Sequence, residues 1–193
     1  MDEIHIPTEK IKDAEVALNM LKQWNNRFVE NNLISKNDYS QIRETFISWQ
    51  NPFAIVICCS DSRVAPEIFF DQKLGNIFVV RNAWNIVNNS VLCSVEYAVW
   101  HLWVPLVVVV WHTNCGAVTA ACTCRWWDLP SSTNYFVDAI SPSIKKNSSV
   151  DEVSKMHAKA MIWKIEENEV VKSSNTKVLP ALYDVVTWKV EWL

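Results

Sequence analysis

The sequence predicts a three-layer α/β fold: a mainly parallel β-sheet with flanking helices and a C-terminal hairpin supplying an edge strand. Two observations predict it. Residues 54–59, 77–80 and 106–110 are continuous apolar runs of strand length, rich in valine and isoleucine, as strands covered on both faces are. Between the second and third runs, residues 94–99 carry helical spacing, which gives the strand–helix–strand pattern of an α/β domain.

Each element follows in order. Residues 14–30 read as a helix with Val16, Leu18, Leu21 and Phe28 filling one face. The first strand ends at Cys59 and the third at about Val110. After Gly116, residues 117–124 read as a short helix. Residues 128–143, with two prolines and several small polar side chains, read as a loop. Residues 151–167 form a longer helix that opens on Asp151 and Glu152, where negative charge suits the helix dipole. Residues 178–193 read as two strands around a turn at Thr187, Trp188 and Lys189, a place that ordinarily wants glycine or asparagine.

No repeat, low-complexity tract or linker interrupts the chain. A single domain over 1–193 is expected, with a helical arm at about 1–50, a core at about 51–125, and a terminal helix and hairpin at about 150–193.

Composition narrows the function classes. The chain has 193 residues, half of them hydrophobic and 20% charged, enough for one substantial core. A formal net charge of −3 offers no broad attraction to nucleic acid or an anionic membrane. The N-terminus lacks a basic, apolar leader pattern, and the longest apolar stretch, 104–111, is too short to cross a bilayer. A cytoplasmic protein is expected. Its six cysteines, Cys58, Cys59, Cys93, Cys115, Cys122 and Cys124, then suit metal binding or the core better than disulfides.

The chemistry sits in two segments. Cys59-Ser60-Asp61-Ser62-Arg63 follows the first strand, and His112-Thr113-Asn114-Cys115-Gly116 follows the third. In a parallel sheet both emerge at the carboxyl edge, where α/β proteins place their sites. Two cysteines and a histidine make a three-ligand set, and catalytic zinc keeps its fourth position for water. Either piece alone is weak, since a strand-end cysteine is commonly a small hydrophobe.

Together the two segments resemble the β-class carbonic anhydrase family. The likeness continues through Val64-Ala65-Pro66-Glu67, Phe70-Asp71, residues 75–83, residues 94–99 and Cys115-Gly116-Ala117-Val118, and more weakly through 25–28 and 183–193. The resemblance implies one zinc ion per chain on Cys59, His112 and Cys115, with Asp61 and Arg63 as a catalytic pair. It implies reversible hydration of carbon dioxide to bicarbonate by attack of zinc hydroxide, which Asp61 would orient. Arg63 would keep Asp61 ionised. Some family members use the residue matching Asp61 as a fourth zinc ligand at rest. The plain alternative for Asp61 and Arg63 is a structural salt bridge. Gly116, at a helix start, offers a backbone amide to an anionic substrate. The family also implies a homodimer or multiple of dimers. Hydrolysis of carbon disulfide or carbonyl sulfide on the same zinc site is one alternative. A non-catalytic zinc-binding relative is another.

Other candidates take structural readings. Cys58 alternates with Cys59 and should face the other way. Cys122 and Cys124 lie two apart on a helix and diverge, and Cys93 is expected in the core. His101 and His157 are able to shuttle protons but read as ordinary helix residues, and His5 lies in a tail.

One feature is abnormal. The chain has two glycines, Gly75 and Gly116, and eleven tryptophans, where average usage predicts about 13 to 14 glycines. The two counts together reach 13. By resemblance Trp84, Trp100, Trp103 and Trp111 stand at glycine positions, with Trp24, Trp49 and Trp188 following less tightly. Trp126, Trp127 and Trp163 are undecided, and Trp192 suits a true aromatic. Bulky rings where backbones pack closely overfill a domain. Some bacterial lineages read UGA as glycine, and decoding such a gene with UGA as tryptophan explains both count and position. The alternative is a tryptophan-rich, inactive relative.

Overall fold

Five strands form one sheet in the order β2-β1-β3-β4-β5 in a computed structural model that describes residues 10–34, 46–47, 49–123 and 131–193. The strands are β1 (Ala54–Cys59), β2 (Ile77–Asn82), β3 (Leu106–His112), β4 (Lys177–Tyr183) and β5 (Val190–Trp192). The first four run parallel. β5 folds back antiparallel on β4 and closes the C-terminal hairpin at the sheet edge. The predicted strands are all present.

The helices are α1 (Ala14–Val29), α2 (Pro66–Phe69), α3 (Asn89–Glu96), α4 (Gly116–Thr123), α5 (Asn134–Ile140), α6 (Val150–Glu166) and α7 (Glu169–Lys172). Every residue of β1 and β3 is buried, so both faces must be covered. Strand alternation divides them. Ala54, Val56 and Cys58 join Leu106, Val108 and Val110 in a core shared with α1. Ile55, Ile57, Val107 and Val109 face the opposite core, with Val91 and Val95 of α3 and Ala158, Met161, Ile162 and Ile165 of α6. Each fully buried valine or isoleucine contributes roughly 1.5–3 kcal/mol, and this double covering makes the three layers.

Local signals set the helix ends. Asp13 caps α1 through hydrogen bonds from Glu15 and Val16. Ser149 and Glu152 form a reciprocal capping box at the start of α6. Asn88 caps α3, which starts earlier than its hydrophobic spacing predicts and runs into a π-helical turn over Tyr97–His101.

Three expectations are corrected. Val16 is 48% exposed, and α1 instead buries Ala14, Ala17, Leu18, Leu21 and Asn25. Cys93 is exposed rather than in the core, because α3 turns its Val91–Val95 face inward and a residue two positions on from Val91 faces away. The region read as a loop is helical where it is described: a 3₁₀ turn over Ser131–Thr133, then α5, then a second 3₁₀ turn over Ser141–Ser143. Burial of Val137 and Ile140 outweighs the weak helical propensity there. Cys124, Trp126, Trp127 and His5 lie outside the described residues.

The order of the sheet positions the site. From β1 the chain pairs β2 on one side and β3 on the other. The carboxyl ends of β1 and β3 therefore flank the point where strand order reverses, the usual ligand crevice of an open α/β sheet.

Candidate metal centre

Cys59 closes β1, His112 closes β3, and Cys115 follows three residues later. All three are buried, and their donor atoms lie within 4.8 Å of one another. Among the described residues this is the group of histidine, cysteine and carboxylate side chains with that spacing.

Each donor is prepared differently. His112 Nδ1 sits 2.9 Å from the Thr113 carbonyl oxygen. The proton belongs on Nδ1, and the Nε2 lone pair is left toward the cluster. Nε2 is buried with no hydrogen-bond partner of good geometry, an orphaned acceptor of the kind a metal satisfies. Cys115 takes the N-cap position of α4: its carbonyl accepts from Thr119 N–H at 3.0 Å, and the amides of Val118 and Ala117 face its sulfur. Cys59 is drawn well below the usual thiol range, first by the Cys115 thiol against it and then by the amides of Trp84 and Asp61. Cys115 is pushed up by that same neighbour and by burial. Two buried sulfurs thus compete for one proton beside a free imidazole nitrogen. This donor set suits a zinc ion, and among the described residues the cluster holds these three donors.

Cys58 is unlike its neighbour. It points into the α1 core, and burial raises its thiol to about 12, so it stays an inert hydrophobe.

Asp61 stands beside the cluster but outside it, its oxygens engaged by Arg63. Arg63 Nε donates to Oδ1 at 2.9 Å and its Nη2 to Oδ2 at 2.7 Å, with the Arg63 amide adding a bond to Oδ1 at 3.0 Å. This grip holds the carboxyl far below its usual range. Arg63 also donates to the Asn114 carbonyl at 3.1 Å, tying the two strand-end loops together. Gly116 begins α4 with open space where a Cβ would sit.

Some contributors are not legible as motifs. Arg81, at the end of β2, donates to the carbonyls of Cys59 at 3.2 Å and Asp61 at 3.0 Å. It fixes the backbone that carries Cys59. Asp184 accepts from the Thr113 hydroxyl at 3.2 Å, anchoring the second loop to the C-terminal hairpin. Both lie in segments that share the family likeness, at the ends of strands neighbouring β1 and β3, but nothing in the residue pattern marks these contacts. Val118, Ala121, Ile140 and Val153 line the apolar side with Trp84 packed on them, and Cys122 also lies there. His101 is exposed on the π turn against Tyr97 and Trp100. His157 is 1% exposed, and burial depresses it to about 4. Its ring faces the Trp84 backbone, although neither nitrogen makes a bond of good geometry.

Comparison with known proteins is specific. The family model described as carbonic anhydrase matches residues 54–187. A carbonic anhydrase of Mycolicibacterium smegmatis is 39% identical over 157 residues, covering 78% of this chain and 76% of the relative. Carbonic anhydrase 2 of Mycobacterium tuberculosis is 47% identical over 105 residues, an alignment spanning 54% of this chain and 51% of that one. A Coccomyxa β-carbonic anhydrase in complex with acetazolamide superposes with a TM-score of 0.72 at 23% identity, covering 95% of this chain and 87% of that chain. One of two tetrameric β-carbonic anhydrases from Sordaria macrospora gives 0.71 at 20% identity, covering 93% and 95%. These two likenesses establish the shared fold.

Proposed function

Because the chain belongs to the β-class carbonic anhydrase family, we propose that it is a carbonate dehydratase interconverting carbon dioxide and bicarbonate on one zinc ion per chain. The observation that carries the site is the buried cluster of Cys59, His112 and Cys115, with the orphaned Nε2 and an arginine-locked carboxylate beside it.

Cys59, His112 and Cys115 would hold the zinc, which supplies acidification of a water molecule so that it can attack carbon dioxide near neutral pH. Asp61 stays ionised and is acceptor-only at working pH. In this reading it takes a hydrogen bond from the attacking water and points that water's lone pair at the carbon. Arg63 leaves Asp61 one orientation, which lowers the ordering cost of the encounter. The Gly116 amide, at the start of α4 beside open space, donates to the developing bicarbonate. The proposal includes assembly as a homodimer or multiple of dimers in the cytoplasm. Among the described residues, no helix is long and apolar enough to cross a membrane.

Asp61→Ala tests the assignment. Hydration should fall on the order of a hundredfold or more, while zinc remains stoichiometric by elemental analysis. Unchanged hydration would remove Asp61 from the mechanism, and faster turnover of carbonyl sulfide or carbon disulfide than of carbon dioxide would redirect the substrate. One observation favours a second reading. The Trp84 ring packs on the apolar wall that contains Cys59 and Cys115 and against Phe136 at 4.9 Å. A chain that carries this indole in its host would be a zinc-binding relative without hydration activity.

A further inference from the structure

We infer that glycine, not tryptophan, stands at positions 84, 103 and 188 of the protein its host makes, the codon there being UGA read as glycine. The inference rests on backbone geometry and composition and is independent of the catalytic reading.

Among the described residues, eight other than glycine adopt positive φ. Five are Asn31, Asp71, Asn85, Asn114 and Asn147, the residue types whose short polar side chains tolerate that region. The other three are Trp84 at 80°, Trp103 at 50° and Trp188 at 63°. No aliphatic residue, no lysine and no other aromatic joins them. A bulky side chain there is a genuine outlier, and here one residue type accounts for every case.

Each occupies a turn that ordinarily takes glycine. Trp84, at φ 80° and ψ 10°, has the third-residue conformation of a type II turn, which glycine or asparagine fills. Gly75, a true glycine, sits at nearly the same φ of 84°. Trp103 lies just past the π turn ending at His101, and the next amide, Val104, returns to the Ala98 carbonyl at 3.1 Å. Such left-handed helix exits are usually glycine. Trp188 ends the hairpin loop: its amide reaches the Asp184 carbonyl at 2.7 Å while the Asp184 amide reaches Lys189 at 2.9 Å, so the loop must turn left-handed before β5.

The side chains themselves are poorly used. Trp103 is 67% exposed and Trp188 52%, where tryptophan is highly buried on average. Trp111, in β3, buries an indole nitrogen with no partner. Eleven tryptophans beside two glycines complete the pattern: a single codon decoded two ways converts one count into the other.

Peptide mass mapping of the protein purified from its native source tests this. Glycine at 84, 103 and 188, with UGA in the gene at all three, is expected. Tryptophan at any of the three, or a UGG codon there, overturns the inference. Zinc content and hydration measured on the same preparation keep the two readings apart. Glycine without hydration would sink the enzymatic reading alone, and tryptophan with hydration would sink this one alone.

Discussion

The strand-end loop at Asn114 and the three tryptophan turns use the same unusual backbone, but residue type suits it only at Asn114. Asn114 turns left-handed at φ 53° between His112 and Cys115, and asparagine accepts this at little cost. Trp84 turns left-handed to aim its amide at Cys59, and an indole-bearing residue accepts it at about 1–2 kcal/mol. Distant partners hold both paths. Arg63 grips the Asn114 carbonyl, the Asn85 side chain beside Trp84 donates to Val110 at 2.5 Å, and Asn25 donates to the Trp188 carbonyl at 3.1 Å. A path fixed by long-range hydrogen bonds reports what the turn was built for. Where path and side chain disagree, the side chain is the discordant party.

The largest expected effect breaks the edge, where everything agrees. His112→Ala removes the one neutral donor and leaves two buried sulfurs without it. Zinc content should drop from one per chain to near zero and hydration should vanish with it, read by elemental analysis after dialysis against a mild chelator. Retained stoichiometric zinc would mean that the metal sits elsewhere.

A smaller effect tests the ground beneath the Trp84 turn. His157 titrates near 4 in the folded chain, mainly because burial disfavours its cation, and at about 6.5 when unfolded. Between those values the unfolded chain binds a proton that the folded chain refuses. Stability therefore falls as pH drops from 6.5 to 4, by up to about 3 kcal/mol, and this loss levels off below 4. Asp61 acts lower. Its carboxyl is depressed chiefly by Arg63 from 3.8, so its contribution is intact above that value and fades only beneath it. Denaturation of wild type and His157→Leu at matched zinc loading, from pH 7 to 4, should show the steeper loss in wild type alone. Parallel curves would mean that water already reaches the imidazole.

How much of this was readable in the sequence depended on the kind of constraint. The buried strands were readable because covering both faces forces continuous apolar runs such as Leu106–His112. The cluster of Cys59, His112 and Cys115 was readable because few side-chain types suit a metal, and these three fall where strands end. Arg81 was not, since it acts on two backbone carbonyls that no residue pattern announces. Nor was α5, whose helical state comes from Val137 and Ile140 packing inward rather than from propensity. The exposure of Cys93 and the isolation of His157 are tertiary facts, set by which helix face meets the sheet. The tryptophan turns were suspect from composition, but only the backbone angles separate Trp84, Trp103 and Trp188 from Trp24 and Trp192. Those two pack edge-on to Phe53 at 5.4 Å and stack on Phe70 at 6.1 Å.

The smallest effects come from the two glycines, which calibrate the comparison from inside the chain. Gly75 shares its φ with Trp84, and a Cβ there would lie 2.6 Å from the Phe46 ring. Gly75→Ala adds left-handed strain to a contact that the ring must yield, and should cost about 1–2 kcal/mol in urea denaturation. Gly116 has no positive φ and nothing within 4 Å of an added Cβ. At the first position of α4 alanine is also the better helix former, so Gly116→Ala should shift stability by no more than about 0.5 kcal/mol, in either direction. A gap between the two variants measures what left-handed backbone costs a side chain in this fold, even one as small as a methyl group. Equal costs would mean that the fold absorbs such strain freely. The angles at 84, 103 and 188 would then lose their force as a sign of glycine.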